Sequence, residues 1–393
     1  MTVTTVTTVT TIMTTMTKKR TMFTTLACTL LLVSTTGRLD ACAVVPAPAP
    51  ARIEVCFVLD TTGSMSGLIE GAKQKVWSIA NELLSAEPTP QVMLALIAYR
   101  DRGDQYVTRT FDLTDDIDAI YAHLQSFRAA GGGDGPESVN RALHEAVTRI
   151  SWSESRDVLK IIFLVGDAPP HMDYADEVDQ RYPDVCRAAV KKDLIINSVQ
   201  CGTLGTTTAI WREIALLSEG AYVAIAQSGD MVVTTTPMDK ELSRLNVELG
   251  TTLIPFGDSD ARRKVEAKQA AAEEAAAPVA ADRLAYNAKS GRVVQGGGDL
   301  IDALERDLVE LAKLDDDELP PQMRTLDEME RQAYVQKVKG RRAQIQAAIS
   351  ELLKKREAFI RAERKRLGAD GDGFDQQVSR IVREQASRKG IAY

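Results

Sequence analysis

The chain between residues 52 and 226 alternates short apolar runs with segments whose apolar residues recur at helical spacing. Most of the runs are continuous, as expected for parallel strands that are buried on both faces. They predict strands at 53–59, 92–99, 107–111, 158–165, 194–200 and 221–226, with helices at 68–84, from the Thr114-Asp115-Asp116 cap, after Pro136, around 174–192 and near 208–219. This alternation predicts an α/β fold with a doubly wound, mostly parallel sheet flanked by helices, and a site at the carboxyl ends of its strands.

After Ala226 the alternation fades, and the pattern predicts helices at 237–249, 261–281, 300–314 and 327–367. The Ala-rich second helix has helical propensity but little to bury. We divide this part into a helical, partly flexible connector (227–318) and a basic helical tail (319–393). From Leu353 to Tyr393, eleven Lys and Arg stand against six Asp and Glu. That excess fits a solvated helix face, or docking to an acidic partner, an anionic envelope polymer or a membrane surface. The apolar stripe of the last helix is too interrupted to predict a long coiled coil.

The first 43 residues are predicted to be a secretory signal peptide with a Thr-rich extension. The chain contains the three parts of such a signal in the usual order: the basic segment Lys18-Lys19-Arg20, an apolar stretch from Met22 to Val33, and the small-residue site Ala41-Cys42-Ala43. A membrane anchor is the alternative, but the apolar run is shorter than the roughly 20 residues of a spanning helix. Residues 44–51 then form a Pro/Ala linker. We expect an exported protein, periplasmic or extracellular, with lipidation of Cys42 as a variant.

Composition and charge exclude several classes of protein. Of 393 residues, 44% are hydrophobic and 26% charged, which is ordinary for a folded soluble chain. The net charge of −7 argues against a generally basic nucleic-acid binder, so no nucleic-acid partner is expected. Beyond the signal peptide, Cys56, Cys186 and Cys201 allow at most one disulfide, and only Cys186 and Cys201 are near enough in sequence to propose it. A disulfide scaffold is therefore excluded.

Side chains whose oxygen atoms could bind a cation follow the predicted first and fourth strands. Asp60, Thr62 and Ser64 stand at alternate positions on a turn that opens a helix, so their oxygens can face one point. Asp167 follows the fourth strand, and the loop at 131–138 presents a third acidic group before a helix. Hard oxygen ligands of this kind suit Mg²⁺ or a similar cation. Each group alone is also explained by a helix cap or a turn, but like charges that converge at one sheet edge repel unless a cation joins them.

Three motifs in this order resemble the von Willebrand factor type A (vWA) domain and its metal-ion-dependent adhesion site. They are DTTGSMS from residue 60, GGGDGPES from residue 131 and FLVGDAPPH from residue 163. The resemblance covers residues 52–226, and the tail is similar to tails that follow this domain in exported bacterial proteins. It implies that the family's D-x-S-x-S ligands fall on Asp60, Thr62 and Ser64, where Thr62 keeps a hydroxyl, and that Asp167 holds the ion through water.

The resemblance leaves the ligand from the middle loop open. Many members of the family place a Thr there, and the nearest match in this chain is Asp134, with Glu137 and Ser138 as alternatives. A directly bound carboxylate would partly neutralise the ion, which would then be held more firmly and attract an acidic partner less. Asp101, after the second strand, is expected either to contact a ligand of the ion or to form a surface ion pair.

The resemblance implies a non-enzymatic, exported module that binds a protein partner in a metal-dependent way. The implied cofactor is Mg²⁺ (or Mn²⁺ or Ca²⁺), and a carboxylate of the unidentified partner would complete the shell of the ion. One alternative is a helical scaffold protein in which a metal only stiffens the sheet. Another is a metal-assisted hydrolase, which is disfavoured because the sequence offers no nucleophile–base pair and no second-metal set.

Overall fold

A computed structural model describes residues 51–133, 135–367 and 373–393, and its centre is a six-stranded sheet. The strands are β1 (Arg52–Asp60), β2 (Gln91–Tyr99), β3 (Thr108–Thr114), β4 (Leu159–Gly166), β5 (Ile195–Cys201) and β6 (Tyr222–Ile225). Their order is β3-β2-β1-β4-β5-β6, in which β3 runs antiparallel to β2 and every other neighbouring pair is parallel. The predicted fold class and all six predicted strands are confirmed.

The topology of the sheet places a crevice between β1 and β4. These strands are neighbours at its centre, although the chain forms β2 and β3 between them. Both are buried along almost their whole length, which explains their continuous apolar sequences. A doubly wound sheet binds ligands where its strand order reverses, outside the carboxyl ends of the strands. Asp60 is the last residue of β1 and Asp167 directly follows β4, so both lie at this crevice.

Helices accompany the sheet and continue after it. The first five are α1 (Ser66–Leu83), α2 (Ile117–Ser126), α3 (Val139–Thr148), α4 (Tyr182–Lys191) and α5 (Gly205–Leu217). The later ones are α6 (Asp239–Gly250), α7 (Ser259–Glu274), α8 (Ala277–Ser290), α9 (Leu300–Glu305), α10 (Pro321–Arg324), α11 (Glu328–Leu367) and α12 (Phe374–Ser387). The predicted cap of α2 is confirmed, because the side chain of Asp116 accepts a hydrogen bond from the N–H of Ala119. The predicted helix at 300–314 is wrong in length, since α9 ends at Glu305.

The side chains of each central strand alternate between two apolar cores, one on each face of the sheet. Phe57 and Leu59 belong to the core that also contains Trp77 of α1. Cys56 and Val58, their neighbours in β1, belong to the core on the opposite face, beneath α3, α4 and α5. This alternation follows from the two-residue period of a strand, and covering both faces keeps the backbone of the parallel sheet away from water.

The last helix of the chain packs against the sheet, in the same core as α1. The ring of Phe374 lies edge-on to Phe57, with 6.2 Å between the ring centroids. The amides of Asn197 in β5 and Gln385 in α12 donate hydrogen bonds to each other, at 3.1 and 2.7 Å. All described residues belong to one compact unit. Because burying a Phe side chain contributes about 1.5–3 kcal/mol, α12 is part of what stabilises the sheet.

The Ala-rich segment at 261–281 is buried unequally along its length. It is split between α7 and α8, and α8 buries an apolar face together with Arg283. Arg342 and Arg356 of α11 are also buried, each against aspartates: Arg342 contacts Asp299 at 2.6 Å and Arg356 contacts Asp239 at 2.8 Å. The expectation of little burial therefore fits α7, which buries Val265, Gln269 and Ala272 out of sixteen residues, and not the start of α8, which buries Val279, Ala280 and Ala281. Helical propensity describes only the segment itself, whereas its burial depends on α6, α1 and α11 around it.

Many of the basic side chains at the end of the chain form ion pairs within the molecule. Arg356 lies between Asp239 and Asp282, Arg383 contacts Glu82 of α1, and Lys389 contacts Asp193 at 2.7 Å. Further pairs lie along α11 itself, such as Arg366 with Glu363 at 2.6 Å. These pairs use charge that would otherwise be available to an anionic surface. The excess of Lys and Arg in the sequence therefore overstates the positive charge that this end can offer.

The three cysteines of the described chain are free thiols. Cys186 is a residue of α4 and points into the core on one face of the sheet, and Cys201 lies in the core on the other face. The pairing of Cys186 with Cys201, which the spacing left open, is not formed. Cys42 and the predicted signal peptide lie outside the described residues. Across residues 51–133, 135–367 and 373–393, no helix combines the length and the apolar character needed to span a membrane.

Candidate functional site

The carboxylate of Asp60 has one hydrogen-bonded oxygen and one oxygen without a partner. Its Oδ1 accepts hydrogen bonds from the N–H of Thr62 at 2.8 Å and from the hydroxyl of Thr62 at 2.6 Å. Its Oδ2 is buried and has no hydrogen-bond partner among the described residues. The side chain is 0% exposed, and it does not cap the following helical turn. The structure therefore does not support the alternative that Asp60 is a helix cap.

The two hydroxyls of the first motif lie at the edge of the crevice. The Oγ atoms of Thr62 and Ser64 are 3.5 Å apart, with Thr62 buried and Ser64 exposed. The N–H of Gly63 donates to the carbonyl of Gly131, which joins this turn to the middle loop. The alternate spacing thus brings both hydroxyls to one side of the turn, as expected.

Asp167 lies across the crevice from this turn. Its Oδ2 accepts a hydrogen bond from Nε2 of Gln227 at 2.7 Å. The residue before it, Gly166, has to be a glycine because a Cβ there would lie 2.4 Å from the hydroxyl of Tyr99 and 2.9 Å from Cβ of Asp60. The hydroxyl of Tyr99 is itself buried without a hydrogen-bond partner in the described part of the chain.

The middle loop contributes Glu137 to the crevice. The side chain of Glu137 is buried, and its Oε2 has no hydrogen-bond partner among the residues described. A Cβ on Gly132, whose φ of +76° favours glycine, would lie 3.2 Å from Oε1 of Glu137 and 3.3 Å from Cβ of Thr62. The carboxylate of Glu137 therefore lies beside the first motif.

The other two candidates of the middle loop have different positions. The hydroxyl of Ser138 donates to Oδ1 of Asp101 at 2.7 Å, and Ser138 is not among the residues that line the cleft. Asp101 is buried and also accepts from the hydroxyl of Tyr174 at 2.8 Å, so it supports the loop through Ser138 and is not a surface ion pair. Asp134 lies outside the described residues.

The acidic side chains of the crevice disfavour one another's charge. Burial raises the pKa of Asp60 to about 7 although the hydrogen bonds from Thr62 oppose the shift, and the charge of Asp167 adds to the rise. Burial, followed by the charges of Asp60 and Asp101, raises the pKa of Glu137 to about 9. When carboxyl groups are buried close together, their charged form is unfavourable unless a nearby positive charge offsets the repulsion between them.

The crevice opens into a cleft of about 300 Å³ at the edge of the sheet. It is lined by Thr62, Gly63, Ser64, Gly131, Gly132, Gly135, Glu137, Asp167, Ala168, Cys201, Thr203, Leu204 and Gln227. Gln227 is a lining residue that was not predicted from the sequence. Asp60 and Asp167 were predicted because they are polar residues at the ends of strands. Gln227 meets the same criterion, since it closely follows β6.

The donor atoms of the cleft determine which cation it could hold. No three His, Cys, Asp or Glu side chains of the described chain form a group that could hold a metal ion. A cation would therefore depend on hydroxyl oxygens as well as carboxylates. Thr62 and Ser64 offer such oxygens, and the buried Oδ2 of Asp60 and Oε2 of Glu137 lack any other partner. This set of hard oxygen donors fits a small divalent cation.

Comparisons with known proteins identify the domain. Residues 54–236 match the family described as the von Willebrand factor A domain. The chain is 35% identical over 114 residues to von Willebrand factor A domain-containing protein 7 of Mus musculus, an alignment that covers 29% of this chain and 12% of that protein. It is 21% identical over 215 residues to a protein of Acanthamoeba polyphaga mimivirus named as an ariadne-like RING finger protein, with 50% of this chain and 21% of that protein covered.

The comparison with solved structures finds similar chains at low identity. The SpRpn10 VWA domain aligns with 46% of this chain and 89% of that chain, at 14% identity and a TM-score of 0.34. The chain spans about a fifth or less of the length of the two curated relatives.

Proposed function

We propose that this chain binds a protein partner through a divalent cation in the cleft. Residues 54–236 match the von Willebrand factor A domain, and domains of this family generally mediate interactions between proteins. The residues that would hold the cation are Asp60, Thr62, Ser64, Glu137 and Asp167. Asp134 remains a candidate from the sequence. A bound cation would act as a Lewis acid and would accept a lone pair from an oxygen of the partner, most simply a carboxylate oxygen. Mg²⁺ is the proposed cation, with Mn²⁺ and Ca²⁺ as alternatives.

The observation that carries this proposal is the pair of buried oxygens without partners. A buried carboxylate oxygen that makes no hydrogen bond costs free energy, and natural proteins leave few such atoms. Here Oδ2 of Asp60 and Oε2 of Glu137 are two of them, in residues that are 0% and 4% exposed. Asp60 ends β1 and Glu137 lies on the middle loop, and a cation between them would satisfy both oxygens at once.

Glu137 changes the expected strength of the partner interaction. With Asp60, Glu137 and Asp167 around it, the cation would face more negative charge than its own two positive charges. A carboxylate of a partner would then be attracted less strongly than to a site built on hydroxyls. We therefore propose that the cation is held firmly and that contacts around the cleft supply much of the partner's affinity. Leu204, an exposed apolar residue on the rim, is one such contact.

We propose binding without catalysis. Cys201 lines the cleft, but burial raises the pKa of its thiol well above the ordinary value, which disfavours the nucleophilic thiolate. The described lining of the cleft contains no His or Lys, and its carboxylates are the groups that we assign to the cation. Export to the periplasm or the outside of the cell is also part of the proposal, and it rests on the order of Lys18-Lys19-Arg20, the apolar stretch and Ala41-Cys42-Ala43.

Titration calorimetry with MgCl₂ and MnCl₂ tests the proposal on the purified chain. Asp60→Ala and Glu137→Gln should each weaken cation binding by at least about tenfold, since each removes an oxygen that has no other partner. Asp157→Ala is the matched control, because Asp157 is exposed on the loop before β4, away from the cleft, and should leave binding unchanged. Absence of cation binding by the folded wild-type chain would contradict the proposal.

Capture of partners from cell-envelope extracts separates the binding module from the scaffold. If the partners are held through the cation, chelator and Asp60→Ala should both release them, whereas Asp157→Ala should not. A scaffold whose metal only stiffens the sheet would keep the same partners in the Asp60→Ala protein. Metal-dependent turnover of ester or phosphate substrates would instead support a hydrolase.

A further inference from the structure

A second cavity lies where α7 and α8 meet the helices α1 and α2 that cover one face of the sheet. Its volume is about 130 Å³, and we call it the α7 cavity. The small side chains of Ala267 and Ala271 on α7 line it together with Trp77 of α1 and Tyr121 of α2. Ala267 and Ala271 are exposed, so the α7 cavity opens to solvent beside α7. It shares no lining residue with the cleft at the carboxyl edge of the sheet.

Two hydrogen-bond donors in the lining of the α7 cavity have no acceptor. Nε1 of Trp77 and Nη1 of Arg283 are buried and make no hydrogen bond within residues 51–133, 135–367 and 373–393. Their residues are 0% and 2% exposed. The guanidinium carbon of Arg283 lies 5.9 Å from the ring centroid of Trp77, so one small group could serve both donors. Since a buried donor without an acceptor costs free energy, this pair favours a ligand that brings an acceptor.

The charges of the α7 cavity are already balanced by the protein. Nε and Nη2 of Arg283 contact Asp118 at 2.7 and 3.0 Å, and Lys268 contacts Asp116 at 2.5 Å. Each of the two cations in the lining therefore has its own carboxylate. An anionic ligand would be buried beside Asp118 without a free counter-charge, which is unfavourable. The acceptor that the two donors favour should therefore be neutral.

The size of the α7 cavity limits what can carry this acceptor. An apolar cavity of about 150 Å³ holds one benzene molecule, so the α7 cavity has room for a group of about that size. Apart from the two ion pairs, its lining is mostly alanine and aromatic, with the ring of Tyr121 beside Trp77 at 6.0 Å between centroids. We propose that the α7 cavity binds a small neutral molecule whose apolar body is about one ring and whose carbonyl oxygen accepts hydrogen bonds from Trp77 and Arg283. This second site is independent of the proposed cation.

NMR of the indole N–H groups in the ¹⁵N-labelled full chain tests the proposal. Acetophenone and ethylbenzene are probes of nearly the same shape, but only acetophenone has a carbonyl, and benzoate adds a negative charge. The indoles of Trp152 and Trp211 are internal references, because they already donate to backbone carbonyls at 2.7 and 3.2 Å. Trp77→Phe identifies the signal of Trp77. All samples contain chelator, so that the result does not depend on a cation.

Acetophenone should move the indole N–H signal of Trp77 and leave the signals of Trp152 and Trp211 in place. It should bind about tenfold more tightly than ethylbenzene, because its carbonyl gives a buried donor the acceptor that it lacks. Benzoate should bind more weakly than acetophenone. Equal affinities for acetophenone and ethylbenzene, or a Trp77 signal that does not move at high acetophenone concentration, would overturn the proposal. Benzoate binding as tight as that of acetophenone would overturn the assignment to a neutral ligand.

Two substitutions on α7 show whether binding occurs in the α7 cavity itself. Ala271→Leu places a larger side chain in the lining and should abolish acetophenone binding. Ala270→Leu is the matched control, since Ala270 is an exposed alanine of α7 that does not line the cavity, and it should bind as the wild type does. Thermal unfolding shows that each variant is folded before the probe is added. Unchanged acetophenone binding by folded Ala271→Leu protein would mean that the probe binds elsewhere.

Discussion

Arg283 of α8 and Asp118 of α2 form a buried ion pair with two contacts, at 2.7 and 3.0 Å. Both side chains are almost completely buried. The pair joins the first helical layer of the sheet domain to a helix that follows this domain in sequence. Asp118 also accepts a hydrogen bond from the N–H of Gln295 at 3.0 Å, so its carboxylate organises the segment after α8 as well. The later helices are thus attached to the vWA domain by a specific polar contact.

Removing one member of this pair should destabilise the chain strongly. Arg283→Met leaves the charge of Asp118 buried without its partner, and the free energy of unfolding should fall by about 3–5 kcal/mol in chemical denaturation. Arg244→Met, which breaks exposed pairs with Glu241 and Glu248, should lower the free energy of unfolding far less, because solvent screens exposed ion pairs. A similar decrease in the free energy of unfolding for the two variants would show that the buried pair stabilises the chain no more than exposed pairs do.

The C-terminal helix should contribute to stability as a core element. Phe374→Ala removes a ring that is almost completely buried against Phe57, and the free energy of unfolding should fall by about 3–5 kcal/mol. The matched control is Phe359→Ala on α11. Because Phe359 is 38% exposed, this substitution should lower the free energy of unfolding much less. Equal effects in urea denaturation would mean that α12 does not stabilise the sheet.

Glycine at position 166 should be required by the cleft. In Gly166→Ala the new methyl group would meet the hydroxyl of Tyr99 and Cβ of Asp60, so Asp60 should be displaced and Mg²⁺ binding should weaken by at least about tenfold. Gly205→Ala is the control, since a Cβ there has no atom within 4 Å. Calorimetry and thermal unfolding of both variants check this. Unchanged Mg²⁺ binding by a folded Gly166→Ala protein would contradict the close approach.

Cation binding should strengthen as the pH rises from about 6 to 9. The pKa values of Asp60 and Glu137 are raised to about 7 and about 9, so without a cation these carboxylates carry protons near neutral pH. A cation has to displace those protons, and its binding therefore improves as protons become scarce. Titrations at several pH values should show this trend in the wild-type chain and a smaller one in Glu137→Gln. Affinity that falls with rising pH would contradict the sign of both shifts.

The cysteines of the folded chain should resist alkylation. Burial raises the pKa of Cys186 to about 12 and moves the pKa of Cys56 and of Cys201 upward too, so little thiolate forms at pH 8. Mass spectrometry after iodoacetamide treatment should find Cys56, Cys186 and Cys201 unmodified in the native chain and modified in urea. A native protein alkylated at any of the three would place that thiol at the surface.

The sequence by itself determined the sheet, its helices and the residues at the ends of its central strands. Continuous apolar runs are a local signal, because a strand that is buried on both faces needs apolar side chains at every position. Once β1 and β4 are recognised, Asp60 and Asp167 follow at their carboxyl ends, and the parallel topology brings them to one edge.

Only the tertiary structure decided which further side chains belong to the cleft and what covers the sheet. Glu137 rather than Ser138 lies beside the first motif, because Ser138 is engaged by Asp101 from another strand end. Gln227 reaches Asp167 across 60 positions of sequence, and Gln385 of α12 reaches Asn197 across 188. The pattern around a residue reports its neighbours in the chain, whereas these contacts arise from packing between elements that no local pattern describes.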